Sequence, residues 1–209
     1  MPNIKLAVLL TGSGTTLQNL LDKRDAGKLD ADVAAVVSSR ADAYGLVRAS
    51  KRGIPTVVIE RGKYVLPEDF SDAIFEAIAP YKPDLVCLAG FMSMLQIGPA
   101  YVNQVINIHP SLLPAFGGKG FYGNKVHASV LATGCKLTGC TAHFVDNEYD
   151  HGPIIAQKAV PVVSGDTVET LAARVQEAER EIFPEAIQLF ALGRLKVENR
   201  LVTVRPIDE

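Results

Sequence analysis

The first half of the chain alternates short apolar runs with helix-like stretches, and this alternation constrains the fold more than any other feature. Four apolar runs are typical of strands buried on both faces, at residues 6–10, 33–37, 56–59 and 85–88. Helices are predicted at residues 41–52 and 67–79, and Leu17, Leu20 and Leu21 share one face of an earlier helix. Alternating strands and helices form βαβ units. The sequence therefore predicts an α/β fold, a Rossmann-like open, mostly parallel sheet with helices on both faces.

The second half of the chain is less regular. Further elements are predicted as strands at residues 105–108, 138–145 and 154–163, and as a helix at residues 167–192. A loop rich in proline and glycine runs from His109 to about Lys125, and Pro184 predicts a kink in the long helix. Residues 195–204 predict a small terminal hairpin that turns at Asn199.

Composition narrows the class of protein. The chain has 209 residues, of which 48% are hydrophobic and 21% charged, so disorder is excluded and one domain over residues 1–209 is expected. The net charge of −2 argues against a nucleic-acid partner, and no apolar stretch reaches the length of a membrane span. Three cysteines do not form a disulfide framework and favour a reducing compartment. We expect a cytoplasmic protein with small-molecule substrates, as a monomer or a homodimer.

Ligands of open α/β sheets bind beyond the carboxyl ends of the strands, so the loop after Leu10 is a candidate site. Its polar and flexible residues are Gly12, Ser13, Gly14, Thr15 and Thr16. Glycines allow close approach of a ligand, and the following helix start offers free N–H groups. The loop lacks the third glycine of a dinucleotide site and the lysine of a P-loop, so a single phosphomonoester fits better. The alternative is a tight turn with a hydroxyl N-cap.

Asn107 and His109 stand at the end of the strand predicted at residues 105–108. They are two residues apart, so they face the same side of a strand. An asparagine amide can donate to a developing oxyanion, and a histidine can donate a proton to a leaving nitrogen. The alternative is a histidine that is simply hydrogen-bonded at a strand end.

Asp150 opens the turn Asp-His-Gly-Pro. Near His109, its carboxylate could orient the imidazole and favour the cationic form. The alternative is an Asx turn that only shapes the loop.

A metal site has weak support. Cys135, Cys140 and His143 are possible ligands, but Cys140 and His143 are three apart on a predicted strand and therefore face opposite sides. Cys87 lies in an apolar run and is expected in the core. We expect no metal.

Five segments together resemble the phosphoribosylglycinamide formyltransferase family, which is folate-dependent. They are residues 12–18 (GSGTTLQ), 88–92 (LAGFM), 107–114 (NIHPSLLP), 139–145 (GCTAHFV) and 150–153 (DHGP). They keep the family's order and spacing over nearly all of residues 4 to 197. The resemblance implies the formyltransferase fold, with a phosphate-binding half at about residues 1–100 and a catalytic, folate-binding half at about residues 101–209.

The resemblance also implies roles for individual residues. Asn107, His109 and Asp150 match the catalytic trio. The ribonucleotide site matches Gly12, Ser13, Gly14, Thr15, Thr16, Gln176 and Glu179. The folate pocket matches Met92, Ser93, Met94, Leu95, Asn107, Asp146, Asn147, Glu148, Tyr149 and Asp150. From the residues alone, Met92 and Met94 favour core packing instead. The Leu113–Pro114 peptide is expected to be cis, as in relatives.

Two departures from the family pattern limit the comparison. Pro67 stands where relatives often carry a folate-contacting arginine, and Lys63 is the candidate substitute. The loop at residues 116–125 is longer than in the best-known relatives, so its substrate contacts cannot be transferred.

The implied activity is formyl transfer from 10-formyltetrahydrofolate, as co-substrate, to the amine of glycinamide ribonucleotide in purine (IMP) biosynthesis. A formyltetrahydrofolate hydrolase would use the same trio with water, but that family has an extra N-terminal domain and a strand beginning by Ile4 is expected to leave no room for it. A methionyl-tRNA formyltransferase would add a C-terminal domain. A non-catalytic phosphosugar-binding module would need only the phosphate site, and an NAD-dependent oxidoreductase would share the fold but not the glycine-rich loop.

Overall fold

The computed structural model describes residues 3–206. The strands are β1 (Ile4–Leu10), β2 (Ala31–Ser38), β3 (Thr56–Val58), β4 (Leu85–Leu88), β5 (Val105–His109), β6 (Leu137–Phe144), β7 (Ile154–Pro161), β8 (Leu195–Glu198) and β9 (Leu201–Val204). The helices are α1 (Thr15–Asp25), α2 (Tyr44–Ser50), α3 (Pro67–Ile78), α4 (Asn124–Thr133) and α5 (Val168–Ala191). Short 3₁₀ turns lie at Arg61–Lys63, Ala79–Tyr81 and Pro99–Tyr101.

Seven strands form one sheet in the order β3-β2-β1-β4-β5-β6-β7. β1 pairs in parallel with both β2 and β4, and β2 pairs in parallel with β3, whereas β6 and β7 are antiparallel. The predicted mostly parallel α/β sheet is therefore confirmed. The chain divides into two compact units, one up to Ile106 and one from Asn107.

The first unit buries nearly all of β1. Every residue from Leu6 to Leu10 is inaccessible to solvent, as expected for a central parallel strand. Helix α1 buries Leu17, Leu20 and Leu21, which are the predicted face. Helix α3 begins at Pro67, a position that suits the fixed φ of proline and its missing N–H, and it buries an apolar stripe that includes Phe70 and Ile74.

The second unit is centred on β6, which is buried from Thr138 to Phe144. Helix α5 begins at a capping box, in which the side chains of Thr167 and Thr170 each accept a hydrogen bond from the other's backbone N–H. It runs without interruption past Pro184 and buries Val175 and Phe183. The hairpin of β8 and β9 is confirmed, and it turns at the predicted Asn199.

Several predicted boundaries were wrong. The helix expected at residues 41–52 covers only Tyr44–Ser50, because Ala43 has extended backbone. The strand expected to reach residue 163 ends at Pro161. Helix α4 was missed, and the loop expected to run to about Lys125 ends where that helix begins. No element was predicted between that loop and residue 138. Gly123, with a φ of 49°, precedes α4 and Gly134 ends it in the left-handed region, so a glycine delimits the helix at each end.

Every helix within residues 3–206 is too short or too polar to span a membrane.

Candidate active site

The glycine-rich loop of the first unit joins β1 to α1. Gly14 is the N-cap of α1 with a φ of 70°, and no side-chain hydrogen bond caps the helix, so the alternative of a hydroxyl N-cap is wrong. A Cβ at Gly14 would lie 2.6 Å from the Cα of Gly45 in α2. Glycine is therefore required here both by conformation and by the close contact between the loop and α2.

The loop presents groups suited to an anion. Gly12 and Ser13 are exposed, and Thr15 and Thr16 are partly exposed at the start of α1. The first turn of α1 contains no acidic residue. Because the first N–H groups of a helix lack partners within the helix and carry partial positive charge, this end of α1 favours a negative ligand.

Arg48 of α2 anchors the same loop, which the sequence did not indicate. Its Nε donates to the carbonyl of Ser13 at 2.9 Å, and its Nη1 donates to Oε1 of Gln18 at 3.2 Å. Its guanidinium also lies over the ring of Tyr44, 5.0 Å from the centroid. These contacts place a fixed positive charge beside the loop.

In the second unit, Asn107 and His109 meet the carboxylate of Asp150. Its Oδ1 lies 3.3 Å from Nδ1 of His109 and 3.4 Å from Nδ2 of Asn107. Its Oδ2 accepts a hydrogen bond of 2.9 Å from the backbone N–H of Gly118. The three side chains that the sequence singled out over 44 positions are therefore brought together, and Asn107 and His109 face the same side of β5 as predicted.

His109 is held at both ring nitrogens. Its Nε2 donates to the carbonyl of Phe116 at 2.9 Å, and its Nδ1 faces Asp150. The residue is only 4% exposed. With an acceptor at each nitrogen, a doubly protonated imidazolium has a partner for both N–H groups.

Burial alone would raise the pKa of Asp150. Its hydrogen bond to His109, the charge of that residue and the amide of Gly118 outweigh burial and hold the pKa below the ordinary value of 3.8. Asp150 is therefore a carboxylate at neutral pH.

His143 completes this cluster, although the sequence suggested it only as a doubtful zinc ligand. Its Nδ1 donates to the carbonyl of Phe144 at 2.7 Å, and its Nε2 lies 3.2 Å from Nδ2 of Asn107. Burial lowers the pKa of His143, so its Nε2 is an unprotonated acceptor. This fixes the Asn107 amide with its NH₂ group toward His143 and Asp150.

A buried network holds the Ser-Leu-Leu-Pro run that follows His109. Oγ1 of Thr141 accepts from the N–H of Leu113 at 3.0 Å and donates to the carbonyl of Ser111 at 2.7 Å. Gln157 donates to the carbonyl of Leu113 at 2.9 Å. The Leu113–Pro114 peptide is cis, as expected.

Glu179 and Gln176 lie one turn apart on α5. Glu179 is partly exposed, yet the surrounding protein raises its pKa to about 7 by removing water from the carboxyl, while the charges of His109 and Arg180 act in the opposite direction. Oε1 of Gln176 lies 3.4 Å from Arg180. A carboxyl that titrates near neutrality is typical of functional sites.

The segments expected to line the folate pocket differ in exposure. Met92 is 47% exposed, so the core packing favoured by the residues alone is wrong for it, whereas Leu95 is only 2% exposed. Asp146 and Asp150 are partly exposed, and the residues between them, Asn147, Glu148 and Tyr149, are exposed. Lys63 is exposed and paired with Glu60. Contact of these residues with folate stays a prediction.

Two of the three cysteines, Cys87 and Cys140, are buried. Cys87 is buried in β4 as expected, and burial raises the pKa of Cys140 to about 12. In the part of the chain covered by residues 3–206, no three His, Cys, Asp or Glu side chains are grouped to hold a metal ion.

Comparison with known proteins identifies the family of the chain. Residues 4–187 match the family described as formyl transferase. The chain is 38% identical to phosphoribosylglycinamide formyltransferase of Haemophilus influenzae, over 94% of this chain and 92% of that protein. It is 44% identical to the trifunctional purine biosynthetic protein adenosine-3 of Gallus gallus, over 93% of this chain, but it spans only 19% of that protein's length.

Solved structures of related enzymes superpose on this chain. Glycinamide ribonucleotide transformylase 1 of Symbiobacterium toebii superposes with a TM-score of 0.90 at 46% identity, covering 97% of this chain and 94% of that one. A formyltetrahydrofolate deformylase of Pseudomonas syringae superposes with a TM-score of 0.86 at 26% identity, covering 98% of this chain and 66% of that one. The chain therefore belongs to the formyl transferase family.

Proposed function

We propose that the chain transfers the formyl group of 10-formyltetrahydrofolate to the primary amine of glycinamide ribonucleotide, a step of de novo purine biosynthesis. The observation that carries this proposal is the convergence of Asn107 and His109 on one carboxylate oxygen of Asp150. The full-length match to a phosphoribosylglycinamide formyltransferase supports the choice of substrate.

The reaction needs no covalent intermediate with the enzyme. The amine nitrogen attacks the formyl carbon, a C–N bond forms, and negative charge develops on the formyl oxygen. His109 and Asn107 are the donors for this oxygen, and Nε2 of His109 must exchange the carbonyl of Phe116 for the substrate. One N–H of Asn107 is fixed on His143, so the other, which makes the longer contact of 3.4 Å with Asp150, is the one that turns to the substrate.

Collapse of the tetrahedral intermediate breaks the bond between the formyl carbon and N10. A proton must leave the attacking amine and another must reach N10. His109, as the cation, donates to N10, and Asp150 accepts the amine proton through a positioned water. The carboxylate form of Asp150 suits this second task, because a low pKa keeps it unprotonated at neutral pH.

The glycine-rich loop is proposed to hold the ribonucleotide phosphate through helix N–H groups and the hydroxyls of Thr15 and Thr16. Changing both threonines to alanine is expected to raise the KM for the ribonucleotide about 10²- to 10⁴-fold, since hydrogen bonds to charged groups contribute about 1.5–3 kcal/mol each and two are lost. The kcat at saturation should change little. Steady-state kinetics measure KM and kcat. Thr56→Ala, at an exposed threonine of β3, is the matched control. An unchanged KM would remove the two hydroxyls from the phosphate site.

Glu179 predicts a pH dependence of stability. Its pKa is raised from 4.5 to about 7, so the folded chain binds this proton more tightly than the unfolded chain. That contribution is complete below pH 4.5 and is lost as the pH rises through 7. Glu179→Gln is expected to remove this loss, so its stability relative to the natural chain should rise by about 3 kcal/mol between pH 4.5 and 8. Urea unfolding across this range measures it, with the exposed Glu185→Gln on the same helix as control. If the free energy of unfolding depended on pH in the same way in Glu179→Gln and Glu185→Gln, the raised pKa of Glu179 would be contradicted.

A formyltetrahydrofolate hydrolase remains the second candidate, because the deformylase structure shares the fold. Consumption of 10-formyltetrahydrofolate, measured with and without glycinamide ribonucleotide, separates the two. We expect turnover only when the amine is present, with one formylated product per folate consumed. Folate consumption independent of the amine would support the hydrolase.

We further propose one formyltetrahydrofolate-dependent domain over residues 1–209, acting on small molecules in the cytoplasm. The net charge of −2 supports small substrates rather than nucleic acid. The three free cysteines are consistent with a reducing compartment.

A further inference from the structure

The hairpin of β8 and β9 brings Arg200 to the residue that follows Asp150. Nη2 of Arg200 donates to the carbonyl of His151 at 2.6 Å. Nη1 lies 2.6 Å from Nε2 of the same histidine and 3.0 Å from its Nδ1. One guanidinium therefore holds both the backbone and the imidazole of His151.

His151 passes this restraint to the start of the loop. Its Nδ1 lies 2.7 Å from Oδ2 of Asp146, whose Oδ1 accepts from the N–H of Glu148 at 2.9 Å. A neutral imidazole with its proton on Nδ1 satisfies both neighbours, because Nδ1 then donates to Asp146 and Nε2 accepts from Arg200. The chain Arg200–His151–Asp146 thus joins both sides of the loop that contains Asp150.

The loop from Asp146 to His151 contains a residue with strained backbone, Asp150. Asp150 has a φ of 53°, in the left-handed region, and such conformations persist only where the surroundings determine them. Beyond it, a Cβ on Gly152 would overlap the carbonyl of Phe144, so the backbone is closely packed on that side. His151 lies between the strained residue and the packed glycine, and its carbonyl is held by Arg200.

We propose that Arg200 is a positioning residue for the formyl transfer reaction, holding the backbone that presents the Asp150 carboxylate to His109. The inference rests on the proposed function for its kinetic consequence. It assigns a role to a hairpin outside residues 4–187, the part that matches the family. Arg200 acts through the loop, because its side-chain hydrogen bonds within residues 3–206 go to His151 and not to Asp150.

The kinetic test uses the full chain with Arg200→Ala. We expect kcat to fall about 10- to 100-fold, because small misplacements of a catalytic group cost that much, with the ribonucleotide KM within about twofold. Arg200→Lys retains a donor for the carbonyl only and should recover part of the loss. Lys196→Ala, which removes an exposed pair with Glu198 in the same hairpin, should match the natural chain. A kcat within about twofold for Arg200→Ala, or equal losses in Arg200→Ala and Lys196→Ala, would overturn the proposal.

A second measurement does not depend on the substrate. The Gly118 N–H donates to Asp150, so its amide resonance reports the position of the carboxylate. We expect Arg200→Ala to shift this resonance and Lys196→Ala to leave it unchanged. If the natural chain shows no formyl transfer, the proposed function fails, but the amide shift still tests the positioning role. An unshifted Gly118 resonance in folded Arg200→Ala would refute that role.

Discussion

His109→Ala is expected to lower kcat about 10³- to 10⁴-fold, because one side chain supplies both an oxyanion donor and the proton for N10, and each contribution is typically at least 10². The imidazole lies against the Asp150 carboxylate on one side and the carbonyl of Phe116 on the other, and both are acceptors that cannot replace it as a donor. The ribonucleotide KM should stay within about twofold, because no role in phosphate binding is assigned to the imidazole.

Single-turnover kinetics with saturating substrates measure this loss without interference from product release. Calorimetric binding of the ribonucleotide to the variant serves as the control for folding, because the substrate site must survive the change. A variant that keeps more than about a tenth of the natural kcat would show that His109 is not the acid.

Asp150→Asn is expected to lower kcat about 10²- to 10³-fold while the backbone of the loop is retained. Asparagine tolerates the left-handed conformation at least as well as aspartate, so the φ of 53° can be kept. The substitution removes the negative charge beside His109 and the acceptor for the amine proton, whereas an amide keeps the shape. Steady-state kinetics measure the loss, and Asp72→Asn, an exposed aspartate on α3, is the matched control.

Asp150 also predicts a dependence of stability on pH. Its pKa is below 3.8 in the folded chain, so its contribution is present above that pH and is lost as the pH falls through the folded value. Asp150→Asn should therefore lose less stability in acid than the natural chain. Equal acid sensitivity in the two, together with a normal kcat, would contradict the assignment of Asp150 as the partner of His109.

The sequence was informative where a local pattern determines the structure. The short apolar runs alternate with predicted helices, and this alternation specifies a parallel sheet. The two-residue spacing of Asn107 and His109 puts both side chains on one side of β5. Asp150 is recognisable because a turn motif restricts the backbone. Spacing alone could not establish that Asn107 and His109 meet the carboxylate of Asp150.

Other parts of the site depend on contacts between distant segments, which no local pattern encodes. Arg48 reaches Ser13 because α2 packs closely against Gly14, and Gly118 reaches Asp150 from the loop between β5 and α4. His143 stands on the buried part of β6, where its polar atoms are satisfied by Asn107 and Phe144. Helix α4 is only ten residues long and lies between Gly123 and Gly134, and no element was predicted for most of its length.

The most direct test of the mechanism is a crystal structure of the chain with glycinamide ribonucleotide and a non-transferable analogue of 10-formyltetrahydrofolate. We predict that the analogue's carbonyl oxygen lies about 2.7–3.1 Å from Nδ2 of Asn107 or from a ring nitrogen of His109, the range expected for oxyanion donors. A carbonyl oxygen more than about 5 Å from both side chains, with the ribonucleotide amine in place, would contradict the mechanism.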